Sequence, residues 1–292
     1  MRITTLGRAT RAYSLPASVV PVLLGTVLAA QGCGTGGRGH FDLASFFWVL
    51  AGAMLAHVGA NILNDYFDFV NAVDTGPEHG SGVLTRGEMS ARQALALALG
   101  FLAAAAVCGL FVFRAQPAFV AWWVLIGLGC AVLYSGLLKR FGLGDVLIIL
   151  SFGVGLTVGA YGVQIRPLTL RGCLLAALYS IPICLLVDAI LHANNLRDVR
   201  DDRSAQVRTV ATVLSPVGGQ RFQLVLLFGP LVFVLAAVVG GWLPVWSLVT
   251  LAATPLLWRA ARTGSVEGTA QTHLVFGLLY VGSLLLQSIP VA

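Results

Sequence analysis

Nine long apolar stretches, separated by short polar loops, take up most of this chain of 292 residues. They run roughly 15–31, 43–66, 92–113, 118–138, 143–163, 171–194, 221–240, 242–260 and 272–290. Each is close to the length that a helix needs to cross a hydrocarbon core of about 30 Å. Charged residues make up 10% of the chain, against about 25% in a soluble domain. Lipid offers the backbone no hydrogen-bond partner, so spanning segments of this length must be helices. The expected fold is therefore all-α: a polytopic membrane protein of about nine transmembrane helices, forming one domain over 1–292. Pro16, Pro21, Pro182, Pro230, Pro244 and Pro255 lie in or beside the stretches, where membrane helices tolerate them.

The charges sort by side. The N-terminus and the loops after the second, fourth, sixth and eighth stretches hold 14 of the 18 Lys and Arg residues. The richer side is expected to be cytoplasmic. That puts the N-terminus inside and the C-terminus outside a cell (plasma or inner) membrane, with lipid as one partner and no nucleic acid. No cleavable leader is expected after Arg2, Arg8 and Arg11. Cys33, Cys108, Cys130, Cys173 and Cys184 are scattered through apolar runs without a CxxC pair and read as small buried hydrophobes.

The acids are more one-sided still. Of 12 Asp and Glu, only Asp42 falls on the outer side, although carboxylates contribute little to orientation. Most gather in two similar phrases that close the second and sixth stretches. The first is Asn61-Ile62-Leu63-Asn64-Asp65-Tyr66-Phe67-Asp68. The second is Asn194-Asn195-Leu196-Arg197-Asp198-Val199-Arg200-Asp201-Asp202. Residues four apart share a helix face, so Asn61 and Asp65 point one way with Asp68 a turn further. Asn194, Asp198 and Asp202 repeat the pattern. Carboxylates converging on one mouth repel unless a cation lies between them. Oxygen donors without His or Cys suit Mg²⁺, which often shares its ligands with a phosphate. Arg86, Lys139, Arg140, Arg203 and Arg208 lie in loops on that same side and are candidates to bind phosphate oxygens.

At these residues the chain resembles the UbiA superfamily of intramembrane aromatic prenyltransferases. The resemblance rests on the two phrases above, Asp74-Thr75, Gly82-Val83-Leu84-Thr85-Arg86-Gly87, Tyr134-Ser135-Gly136 with Lys139-Arg140, Gly142-Leu143-Gly144-Asp145, and Arg208-Thr209. The wording is most similar to the menaquinone branch, which acts on 1,4-dihydroxy-2-naphthoate. The resemblance implies nine helices around a central cavity with a polar cap over its cytoplasmic mouth. It implies Mg²⁺ held by Asp65, Asp68, Asp198 and Asp202, assisted by Asn61 and Asn194. It implies transfer of a polyprenyl chain from a polyprenyl diphosphate to an aromatic acceptor, with loss of CO₂ and diphosphate, giving demethylmenaquinone. Asn64, Asp74, Tyr134 and Asn195 are the expected surroundings of that acceptor.

Two phrases depart from the family. Val207-Arg208 stands where Gly-Lys is usual, and Glu78-His79-Gly80-Ser81-Gly82 differs from the branch's wording. Asp188 and His192 are four apart inside the sixth stretch, as His57 and Asn61 are in the second. Such pairs either form an inner polar layer that binds the acceptor or tie helices together. Tyr66, Phe67 and Tyr134 either stabilise an allylic cation through their ring faces or pack the core. The alternatives are the same fold acting on 4-hydroxybenzoate, homogentisate or a lipid backbone, a membrane transporter, or a non-catalytic assembly protein.

Overall fold

The computed structural model describes residues 3–73, 76, 80–136 and 142–286. Among them the chain is helical throughout, with no β-strand. Helix α1 (Ile3–Ala9) and a 3₁₀ turn at Ala12–Ser14 lead into α2 (Pro16–Ala30). The chain bends by 48° where α2 begins, and Pro16 sits at the first turn, where its missing N–H costs nothing. Next come α3 (Leu43–Val70), α4 (Ala91–Phe113) and α5 (Pro117–Gly136). One continuous rod then combines α6 (Gly144–Ile148), a π-helix at Ile149–Gly155 and α7 (Leu156–Gln164). Then follow α8 (Leu170–Arg197), the short α9 (Val199–Ser204) and α10 (Val210–Val213), and α11 (Pro216–Val239). A 3₁₀ segment, Val245–Ala253, runs into α12 (Thr254–Thr263), and α13 (Val266–Leu285) ends the described chain.

Polar residues fix the helix starts. The Asp42 carboxylate accepts the Ser45 N–H at 2.8 Å, Ser90 and Gln93 form a reciprocal capping box, and Thr169, Ser215 and Ser265 cap α8, α11 and α13. Each satisfies an orphan N–H of a first turn.

Five helical rods are long and apolar enough to cross a membrane: Leu43–Val70, Ala91–Phe113, Gly144–Gln164, Leu170–Arg197 and Pro216–Val239. The bent pair Thr4–Ser14 and Pro16–Ala30 makes a sixth if counted as one span. The expected stretches 15–31, 118–138, 242–260 and 272–290 also fall on helical segments. They differ in character. The eighth begins as 3₁₀ and ends in the polar α12 with Arg259 and Arg262. The ninth opens on Glu267, Thr269, Gln271 and His273. The outer surface shows Leu110, Trp122, Leu125, Leu174, Val232 and Val239 exposed, far more apolar surface than a water-facing bundle tolerates.

Two apolar clusters flank a central gap. The larger joins α2, α7, α8, α11, α12 and α13 around Leu24, Leu28, Tyr161, Ile183, Leu227, Leu257 and Phe276. The smaller joins α3 and α4 to the 83–89 segment through Val58, Ile62, Leu84, Met89 and Leu102. Helix α2 meets α7 at Gly25. A Cβ there would collide with the Thr157 carbonyl and lie 2.9 Å from the Tyr161 backbone nitrogen. Gly25→Leu is therefore expected to destabilise the protein by about 1–3 kcal/mol through overpacking. A thermal melt in detergent reads this directly; an unchanged midpoint would show that α2 and α7 move apart freely. At the end remote from the acidic phrases, the Gln164 amide grips the Asp42 backbone, accepting its N–H at 2.7 Å and donating to its carbonyl at 2.9 Å.

Candidate active site

The gap between the clusters is a cavity with an empty volume of about 1540 Å³, open mouth included. On α3 its wall is Ala53, Ala56, His57, Ala60, Asn61, Asn64 and Asp68; on α8 it is Val187, Ile190, Leu191, Asn194 and Asn195. Both sets follow the three-and-four spacing of one helix face. On both helices the wall is mostly apolar deep down and turns polar toward the C-terminal end, so the two acidic phrases meet at one mouth. Asp198, Asp201 and Asp202 complete that mouth. Leu147, Ile148, Ser151 and Phe152, from α6 and the π-helix, close the cavity from a third side. A π-turn widens a helix locally, and Ser151 and Phe152 lie within it.

Two arginines line this mouth, and sequence reasoning assigned neither to the site. Arg11, in a left-handed backbone conformation ahead of the 3₁₀ turn, forms an ion pair with Asp65. Asp65 also accepts from the Ser81 N–H at 3.2 Å and from the Ser81 hydroxyl. Arg197 holds Asp198 with two N–H donors, each at 2.7 Å. In this state each acidic phrase is neutralised by a guanidinium. The signal for Arg197 was its place inside the second phrase. Arg11 carried none beyond its position in the basic N-terminus.

Several expected ligands are placed differently. Arg86, Arg203 and Arg208 do not line the cavity. Arg86 donates to Glu88 at 2.9 Å and to the Ser81 carbonyl at 2.7 Å. Arg203 turns to the Thr212 and Leu214 carbonyls at 3.3 and 3.4 Å. A loop's side of the membrane does not fix where its side chains aim. Asp74, Lys139 and Arg140 lie outside the described residues, as does the side chain of Tyr134. Asp188 and His192 are corrected too: they are buried but line no part of the cavity. The Asp188 carboxyl shares a hydrogen bond with Asp145 on α6, and His192 Nε2 donates to the Gly219 carbonyl on α11 at 3.0 Å. This is the interhelical tie rather than the acceptor layer.

His57 does face the cavity, and its ring is fully engaged. The Ser14 hydroxyl gives its proton to the Arg11 carbonyl at 2.8 Å. It therefore accepts from Asn61 Nδ2 at 3.2 Å and from His57 Nε2 at 3.1 Å. His57 Nδ1 then accepts the Ser18 proton at 2.9 Å. Phe152 meets the ring edge-on, with centroids 4.7 Å apart. With both nitrogens occupied, His57 positions the 3₁₀ turn that carries Arg11 against α3.

The donor set suits a hard cation. Asp68, Asn61, Asn64, Asn194, Asn195, Asp198, Asp201 and Asp202 bring oxygens, and no sulfur, to the mouth. The side-chain oxygens of Asn64 and Asn194 are buried without a hydrogen-bond partner, while their amide nitrogens donate to Asp68 at 2.7 Å and to the Ile190 carbonyl at 3.3 Å. Two orphaned oxygens facing one cavity are what a cation would satisfy. Among the described residues, however, no three of His, Cys, Asp and Glu come close enough to hold one. The carboxylates are held apart by their arginines.

A polar, acid-rimmed mouth over a deep apolar chamber in a helical bundle marks an enzyme for ligands with a charged head and a greasy tail. The chain belongs to the UbiA prenyltransferase family, whose model matches residues 18–281. It is a multi-pass membrane enzyme of that family, which sets the transporter and assembly readings aside. The UbiA prenyltransferase domain-containing protein 1 homolog of Drosophila melanogaster is 32% identical over 96% of this chain and 79% of its own. The 1,4-dihydroxy-2-naphthoate octaprenyltransferase of Bacillus subtilis is 27% identical over 96% and 92% respectively. A UbiA homolog from Archaeoglobus fulgidus, solved bound to GPP and Mg²⁺, shares the fold with a TM-score of 0.59 at 13% identity, covering 96% of this chain and 97% of that one.

Proposed function

We propose that this enzyme transfers a polyprenyl chain from a polyprenyl diphosphate to 1,4-dihydroxy-2-naphthoate, releasing CO₂ and diphosphate and giving demethylmenaquinone. The observation that carries the reading is the meeting of two Asn/Asp phrases and two arginines at the mouth of one apolar cavity. The Bacillus subtilis relative, by its name, uses this acceptor. We assign the mouth to the cytoplasmic side of the cell membrane, with nine crossings and the loop segments after α3, α5 and α8 forming a cap.

In this reading Arg11 and Arg197 bind the diphosphate oxygens, as guanidinium forks do. Asp65, Asp68, Asp198 and Asp202, with Asn61, Asn64 and Asn194, would hold Mg²⁺, which supplies charge neutralisation at the leaving diphosphate. The prenyl C1–O bond breaks with its electron pair going to diphosphate. The ring carbon that bears the carboxylate forms the new C–C bond, and loss of CO₂ returns its bonding pair to the ring. The walls formed by Ala53, Ala56, Ala60, Val187 and Ile190 keep water from the allylic carbon.

Mass spectrometry of products from purified protein tests this. The protein would be given Mg²⁺, geranyl or octaprenyl diphosphate, and in parallel 1,4-dihydroxy-2-naphthoate, 4-hydroxybenzoate and homogentisate. A decarboxylated, prenylated naphthalenediol only in the first arm is expected. Product solely with another acceptor would overturn the acceptor and leave the family chemistry standing.

A further inference from the structure

Behind the reaction cavity lies a second chamber with an empty volume of about 720 Å³, between α3, α4, α5 and α7. None of its lining residues carries a charge. Ten of the 21 are glycine or alanine, which leaves the helices close and the space between them free. Ala53, Ala56, Gly127 and Leu156 line both chambers, so the two communicate through a neck of mostly small residues. The far end is walled by fixed aromatics. Trp48 stacks on Phe111 at 3.9 Å, and the Trp123 indole N–H donates to the Gly155 carbonyl at 2.7 Å.

From the proposed function we infer that this rear chamber takes the distal isoprene units of the donor and that Gly127 sets which chain lengths pass. Water gains nothing in a space with almost no polar partner, whereas an apolar chain replaces lost contacts along its whole length. The chamber's continuity with the reaction cavity selects the occupant: only a chain whose head is at the mouth reaches it from that side. Along α3 the path from Asn64 to Trp48 covers 16 residues, about 24 Å at the helical rise. A short donor ends before the neck, and a long one must thread it.

Gly127 is the position to fill. A Cβ there meets nothing within 4 Å, and leucine is a better helix former than glycine, so Gly127→Leu occupies the neck without straining the fold. Gly129→Leu, two residues along α5, is the control: its Cβ also meets open space, but it lines neither chamber. Binding of labelled geranyl and octaprenyl diphosphate would be measured in nanodiscs with Mg²⁺ and no acceptor. For Gly127→Leu, affinity for the octaprenyl donor is expected to fall about tenfold or more, the effect of an overpacked contact, with geranyl binding unchanged. Gly129→Leu is expected to change neither. Ala56→Leu, on the opposite side of the neck, is expected to repeat the Gly127→Leu result. If both donors bind Gly127→Leu and Ala56→Leu as they bind the unsubstituted protein, the rear chamber holds something else, such as a bilayer acyl chain, and this inference falls alone. If neither donor binds the unsubstituted protein, the prenyl-donor reading falls with it.

Discussion

Asp68→Ala is expected to lower prenyl transfer by roughly 10²- to 10³-fold, the usual cost of removing one preorganised group that stabilises charge in a transition state. Asp68 is buried, lines the mouth, and orients the Asn64 amide at 2.7 Å so that the orphaned Asn64 oxygen faces the cavity. Its loss removes one oxygen donor and frees a second to turn away. The variant is expected to melt close to the unsubstituted protein, because Asp68 faces the cavity and not the packed core. Steady-state product formation across a Mg²⁺ titration checks this. Turnover within tenfold at every Mg²⁺ concentration would remove Asp68 from the site.

Arg11→Ala is expected to act first on stability. Arg11 pairs with Asp65, and their side chains are 12% and 7% exposed. Removing one partner of a buried pair leaves the other charge uncompensated, which costs about 3–5 kcal/mol. Mg²⁺ is expected to restore part of that loss in the variant, because a cation at the mouth replaces the missing charge beside Asp65. Differential scanning of both proteins with and without Mg²⁺ gives the answer. A variant that melts like the unsubstituted protein, or gains nothing from Mg²⁺, would show that Asp65 faces neither a required arginine nor a cation.

The helices were legible because lipid leaves the backbone no other choice, and apolar runs mark them. The boundaries of α3, α4, α8 and the Gly144–Gln164 rod follow those runs to within a few residues. The 3₁₀ start of the eighth stretch and the π-helix were not legible, since both depend on how neighbours press on the backbone. Within the site, helix periodicity placed Asn61, Asn64, Asp68 and Asn194 where the cavity found them. The same periodicity held the correction for Asp188 and His192. Asp188 lies six residues before Asn194, about 240° round the helix, and so faces away. The Ser14–His57–Ser18 network was illegible because its partners are far apart in sequence. Arg86 and Arg203 failed for a simpler reason: nearby carboxylate and carbonyl oxygens claim them first.

The two guanidinium–carboxylate pairs at the mouth also make the empty enzyme self-inhibited in charge. On the proposed chemistry, a cation that takes Asp65 and Asp198 must evict Arg11 and Arg197, and the evicted arginines become the free hands that grasp a diphosphate. Each ligand thereby prepares the berth of the other. By reciprocity, the factor by which Mg²⁺ tightens the donor is the factor by which the donor tightens Mg²⁺, so the affinity of either measured alone understates what the working enzyme holds.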